Sequence, residues 1–103
     1  ITGDFQRLEG YFVERVLKDV VQLSRTSVVW EEVFVNGANL GRDTVVQVWK
    51  SGTWPLILRN VTDNGLRGLV SACWYLDYVT YGFPWTSYYS CDPLEFIPRQ
   101  QEH

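Results

Sequence analysis

Three short runs constrain this chain more than any other feature: Ser27-Val28-Val29-Trp30, Thr44-Val45-Val46-Gln47-Val48-Trp49 and Leu66 to Ala72. The first two are continuous and β-branched, bounded by polar residues, without the strict apolar/polar alternation of a strand with one wet face. Helical patterns lie around them. Asp4 suits an N-cap, and Phe5, Leu8, Phe12, Val16, Val20 and Leu23 recur at spacings of three or four, which predicts one apolar helix face over residues 5–23. Gly10 lies off that stripe, and Lys18 four residues after Glu14 adds slight surface support. Pro55 suits the first turn of a second helix, roughly residues 54–63, with Asn64-Gly65 as its stop. Helices alternating with continuous apolar strands describe a parallel sheet.

Three strands and two helices neither close a barrel nor cover both faces of a sheet. The expected fold is therefore an arc of a larger α/β architecture. VNGANLGRD reads as a loop between the first two strands, everything after Cys73 as loop-like and aromatic, and the tail IPRQQEH as polar and frayed. The chain opens at Ile1 with no signal-peptide pattern, and reads as a mature or excised piece of something longer.

Composition excludes several classes of function. The formal net charge is -3 and basic residues do not cluster, so no nucleic-acid footprint is expected. No apolar run approaches the roughly 18 residues of a membrane span. The single histidine is His103, and Cys73 and Cys91 lie at no zinc spacing, which argues against a metal site and against Ser/His/Asp catalysis. NGANLG lacks the lysine and the strand-to-helix setting of a phosphate loop. Glu31 and Glu32, read as continuing the first strand, point to opposite faces, one inward and one outward, and do not form an acid/base pair. For Cys73 and Cys91 the residues leave two options, separate buried thiols or one disulfide. The sequon Asn60-Val61-Thr62 is compatible with a luminal compartment in which a bridge persists.

Chemistry concentrates in SACWYLDYVTYGFPWTSYY, residues 71–89, which holds eight of the sixteen aromatic residues. Each strand ends in a tryptophan: Trp30, Trp49, and Trp74 followed by Tyr75 and Asp77. Parallel α/β sheets bind ligands at the carboxyl ends of their strands. One such indole is most simply a core plug. Three in register, with a tyrosine and an aspartate beside the last, describe a rim for the apolar face of a sugar or another flat group. The residues alone name no reaction.

SVVWEEVF, DTVVQVWK and SACWYLDYVTYGFPWTSYYSCDPLEF, preceded by DFQRLEGYFVERVLKDV, resemble the β-N-acetylhexosaminidases of glycoside hydrolase family 20, the lysosomal type most closely. The resemblance covers essentially the whole chain. It implies a (β/α)8 barrel, with residues 1–103 as a fragment of one catalytic domain from the C-terminal part of the barrel. It also implies hydrolysis of terminal β-linked N-acetylglucosamine or N-acetylgalactosamine from glycans and glycoconjugates, with retention and with the sugar's own acetamido oxygen as nucleophile. It implies no cofactor, a lysosomal or secreted location and a glycan at Asn60, and it leaves open a dimeric parent. Trp30 and Trp49 match tryptophans lining the acetamido pocket, and Tyr75 matches the tyrosine that hydrogen-bonds the acetamido oxygen. Asp77 matches the residue that bonds a ring hydroxyl, and Glu32 an acidic residue supporting the site. Tyr78 follows Asp77 where an arginine would favour acidic sugars, which implies neutral substrates.

Two departures stand out. The family's catalytic Gly-Gly-Asp-Glu motif is not among these residues, so the chain in isolation is expected to carry the pocket wall without the acid. Cys73 stands where many members have proline, and with Cys91 it favours a bridge from the end of the third strand to the far side of the aromatic loop. A non-catalytic sugar-binding relative and an inactive structural fragment are the alternative readings. Unpaired sheet edges predict aggregation of the isolated chain.

Overall fold

A computed structural model describes residues 4–77, 81–82 and 84–95. Helix α1 (Phe5–Gln22) starts where expected, because the Asp4 carboxylate accepts the Arg7 N–H at 3.1 Å and so satisfies one of the donors left open at a helix N-terminus. Strand β1 (Val28–Trp30) follows and runs without a break into a short helix, α2 (Glu31–Val35). Then come β2 (Val45–Val48), α3 (Trp54–Asp63), β3 (Arg67–Val70), the 3₁₀ turn η1 (Ala72–Trp74) and α4 (Pro84–Ser90).

The strands form one open sheet in the order β1-β2-β3, all parallel, with Val28 opposite Val45 and Val46 opposite Gly68. The β-branched runs thus form the expected parallel sheet, but within this chain only one of its faces is covered: Val28 and Leu69 on the other face are 59% and 47% exposed. Val46 and Val48 of the central strand are completely buried and pack with Val29, Leu58 and Val61. Gly68 lets α3 sit down on β3, since a Cβ there would collide with the Leu58 side chain. Pro55 lies in the first turn of α3, and the helix ends at Asn64, with Gly65 in the left-handed region at φ 77°.

The fold is the expected parallel arc, with more helix than expected. Four α-helices and η1 stand among the described residues where two helices were anticipated. Helix α2 is too short for its periodicity to be read. Trp30 occupies its N-cap in extended backbone, and Glu31 and Glu32 fill the first turn, where the helix dipole favours carboxylates. Helix α4 lies in the stretch expected to be loop, and it opens at a proline, a residue suited to a first helical turn. Glu14 is not used for i,i+4 support; its carboxylate accepts the Asn39 N–H at 2.9 Å and ties α1 to the loop before β2.

The apolar stripe of α1 is present but uncovered. Leu17 packs against the core, whereas Phe5, Leu8 and Phe12 are 76%, 64% and 67% exposed. β1 and β3 are sheet edges within this chain. In the aromatic stretch Tyr81, Trp85 and Tyr89 face solvent, 98%, 58% and 86% exposed, while α4 packs against η1. Trp85 and Tyr89 pack edge to face with each other. Tyr78, Phe83 and the tail IPRQQEH lie outside the described residues. No helix among those described is long and apolar enough to cross a membrane.

Candidate functional site

Parallel register brings the carboxyl ends of β1 and β2 together, and with them Trp30 and Trp49. Their ring centroids are 6.4 Å apart at an interplanar angle of 82°, an edge-to-face corner. Tyr75, the first residue after η1, adds a third ring 6.3 Å from Trp49 and tilted by 59°. With Glu9, Glu32 and Val33 these rings line an open cavity of about 450 Å³, within the range of small-molecule sites.

Two consecutive glutamates hold Trp49 in this corner. Glu31, only 2% exposed, accepts the backbone N–H groups of Trp49 at 2.9 Å and of Lys50 at 2.8 Å, both on Oε1. Glu32 accepts the Trp49 indole N–H on both carboxylate oxygens at 3.1 Å, and Lys50 Nζ lies 3.3 Å from its Oε1. The expectation of one inward and one outward carboxylate on a strand is therefore corrected. Both sit on the first turn of α2 and both reach the end of β2, one to backbone and one to side chain. Partial burial pushes the Glu32 carboxyl up, but the Trp49 indole, its own backbone amide and the Lys50 ammonium together hold it below the ordinary glutamate value.

The third indole does not join the corner. Trp74 belongs to η1 and donates its Nε1–H to the Tyr88 carbonyl at 3.1 Å, which turns it toward α4. A 3₁₀ turn rotates successive side chains by about 120°, so Tyr75 takes the place expected of Trp74. Cys73 and Cys91 are joined in a disulfide with Cα atoms 6.3 Å apart, which decides between the two options the residues left open. Asp77 is exposed and lies outside the cavity lining. Asn60 is exposed on α3, while Val61 of the same sequon is completely buried.

Glu9, Val33 and the role of Glu31 were not anticipated. Glu9 carried a usable signal: in parallel α/β folds the first turns of the helices face the same rim as the strand ends, and Glu9 lies near the start of α1. A larger open cavity of about 830 Å³ lies at the opposite ends of the strands, between α1 and the loops before β1 and β2. Its lining, which includes Lys18, Arg25, Arg42 and Asp43, contains no aromatic ring. Among the described residues no group of His, Cys, Asp or Glu is placed to hold a metal ion.

Residues 2–100 match the family described as glycosyl hydrolase family 20, catalytic domain. The chain is 39% identical over 99 residues to beta-hexosaminidase subunit beta of Homo sapiens, covering 96% of this chain and 18% of that protein. It is 38% identical over 103 residues to beta-hexosaminidase subunit alpha of Mus musculus, covering 95% of this chain and 20% of that protein. It is 36% identical over 110 residues to beta-hexosaminidase A of Caenorhabditis elegans, covering 91% and 20%. The chain thus spans about a fifth of the length of the curated relatives it matches.

Proposed function

This chain belongs to glycosyl hydrolase family 20, and from that premise we propose that the protein carrying it is a β-N-acetylhexosaminidase. Its substrates are glycans and glycoconjugates ending in β-linked N-acetylglucosamine or N-acetylgalactosamine. The observation that carries this reading is the aromatic corner at the strand ends, Trp30, Trp49 and Tyr75 around one cavity, with Glu32 committed to holding an indole in place. Residues 1–103 are one arc of a single (β/α)8 catalytic domain.

A pyranose and its acetamido group present flat C–H and methyl surfaces, and two nearly perpendicular indoles offer two walls for them. The Tyr75 hydroxyl donates to the acetamido oxygen and holds it near the anomeric carbon, an orientation effect of the kind that replaces a bimolecular encounter. That oxygen attacks the anomeric carbon, the glycosidic bond breaks, and a glutamic acid elsewhere in the domain protonates the leaving oxygen. Water, giving a proton to the carboxylate that remains, then attacks the anomeric carbon from the face the leaving group vacated and opens the oxazolinium intermediate, with net retention. Asp77 bonds a ring hydroxyl from the rim. Glu32 acts on the sugar through Trp49, as a positioning residue. The absence of an arginine after Asp77 supports a preference for neutral sugars.

The disulfide and the sequon at Asn60 support a lysosomal or secreted location with a glycan at Asn60. In the whole protein, Tyr75→Phe is expected to lower turnover of an N-acetylglucosaminide by about 100-fold with the fold intact; an unchanged rate refutes the role given to Tyr75. Sugar-induced indole fluorescence changes without any turnover in the whole protein would favour a non-catalytic binder.

A further inference from the structure

Tyr75 owes its place to η1, and η1 is held from two sides. On the sheet side, the Ser71 N–H donates to the Val48 carbonyl at 2.9 Å and Gln47 Nε2 donates to Ser71 Oγ at 3.1 Å. Ala72 is buried there, 3% exposed. On the opposite side, the Cys73–Cys91 bridge and the bond from the Trp74 indole to the Tyr88 carbonyl fasten η1 to α4 and the residue just beyond it. Tyr75 is the next residue after both ties. Tyr75 itself leaves η1 in extended backbone, and Leu76 and Asp77, in the turn that follows, are exposed, so burial of the following residues does not fix the ring. A single turn of 3₁₀ helix has poor hydrogen-bond geometry and holds its own direction weakly.

We propose that the Cys73–Cys91 bridge is a positioning element of the sugar pocket: it clamps η1 between the end of β3 and the far side of α4, and thereby aims the Tyr75 hydroxyl. The inference rests on the function given to Tyr75 above. A bridge that only stabilised the fold would lower the melting temperature and leave the chemistry of the folded protein unchanged. A bridge that aims Tyr75 loses its effect on turnover when the hydroxyl is removed.

The test is a double-mutant cycle in the whole protein, with kcat and KM measured on an N-acetylglucosaminide below the melting temperature of every variant. Cys73→Ser with Cys91→Ser is expected to lower kcat by about 10-fold, the scale of a small misplacement of a catalytic group. Tyr75→Phe is expected to lower it by about 100-fold. All three changes together should cost no more than Tyr75→Phe alone, since effects acting through one group do not add. Multiplicative losses, or an unchanged kcat in the cysteine variant, overturn the role of the bridge while leaving that of Tyr75 standing. An unchanged rate in Tyr75→Phe overturns both. If the cysteine variant does not fold, the folded protein is reduced with dithiothreitol and alkylated with iodoacetamide, with and without Tyr75→Phe. The same four rates then decide the matter by the same criteria.

Discussion

Glu31 offers the sharpest test of how the site is built. Its carboxylate is almost completely buried and accepts two backbone N–H groups, those of Trp49 and Lys50, on the same oxygen. Glu31→Ala leaves both donors without their acceptor at the end of the central strand. Hydrogen bonds to a charged group contribute about 1.5–3 kcal/mol each. Two of them give about 3–6 kcal/mol, from which the cost of burying a carboxylate is regained, so a net loss of about 3 kcal/mol is expected. Glu31→Gln behaves differently, because a glutamine carbonyl can occupy the position of Oε1 and accept both bonds. Only the charge assistance is lost, a cost of about 1 kcal/mol. Thermal melts of the whole protein separate the two. For a barrel domain, a loss of this size should lower the melting temperature by about 6–12 °C for alanine and about 2–4 °C for glutamine. Equal shifts for the two variants, or a negligible shift for alanine, would refute the claim that a single oxygen anchors the end of β2.

Three further outcomes follow from the same geometry. Glu32 is held below its ordinary value of 4.5, so it contributes stability that is present above that value and is lost as pH falls through the lower folded value. Glu32→Gln should therefore flatten the acid limb of stability, read as urea midpoint against pH, and an identical limb contradicts the assignment. Gly68→Ala drives a Cβ into buried Leu58 and should destabilise by about 1–2 kcal/mol; pairing it with Leu58→Ala should recover the loss attributable to the collision, and no recovery argues against that contact. The 103 residues alone should aggregate, because Phe5, Leu8, Phe12 and both sheet edges are uncovered, and should hydrolyse no N-acetylglucosaminide, because a Gly-Gly-Asp-Glu motif is not among them. A sharp cooperative melt of the isolated chain would contradict this.

Much of the architecture is legible in the amino-acid order because it rests on local physics. The spacing along α1, the Asp4 cap, Pro55 in the first turn of α3 and Gly65 after its end are decided by residues within a turn of one another. The continuity of the β-branched runs announces a parallel sheet, and their last residues announce an aromatic rim. What lies beyond local reach could not be read in that way. Five residues of α2 carry too little pattern to set against a strand continuing past Trp30.

The sequence by itself determined the arc of helices and parallel strands, and put Trp30 and Trp49 at neighbouring strand ends, since backbone propensity and period are properties of short windows. Only the tertiary structure decided which rings meet. It turned Trp74 away to the Tyr88 carbonyl, put Tyr75 against Trp49, and drew Glu9 into the cavity. It also joined Cys73 to Cys91 and gave Glu31 and Glu32 their different partners on β2. These are choices between side-chain directions and partners 14 or more residues apart along the chain, and packing settles them where local propensity is silent.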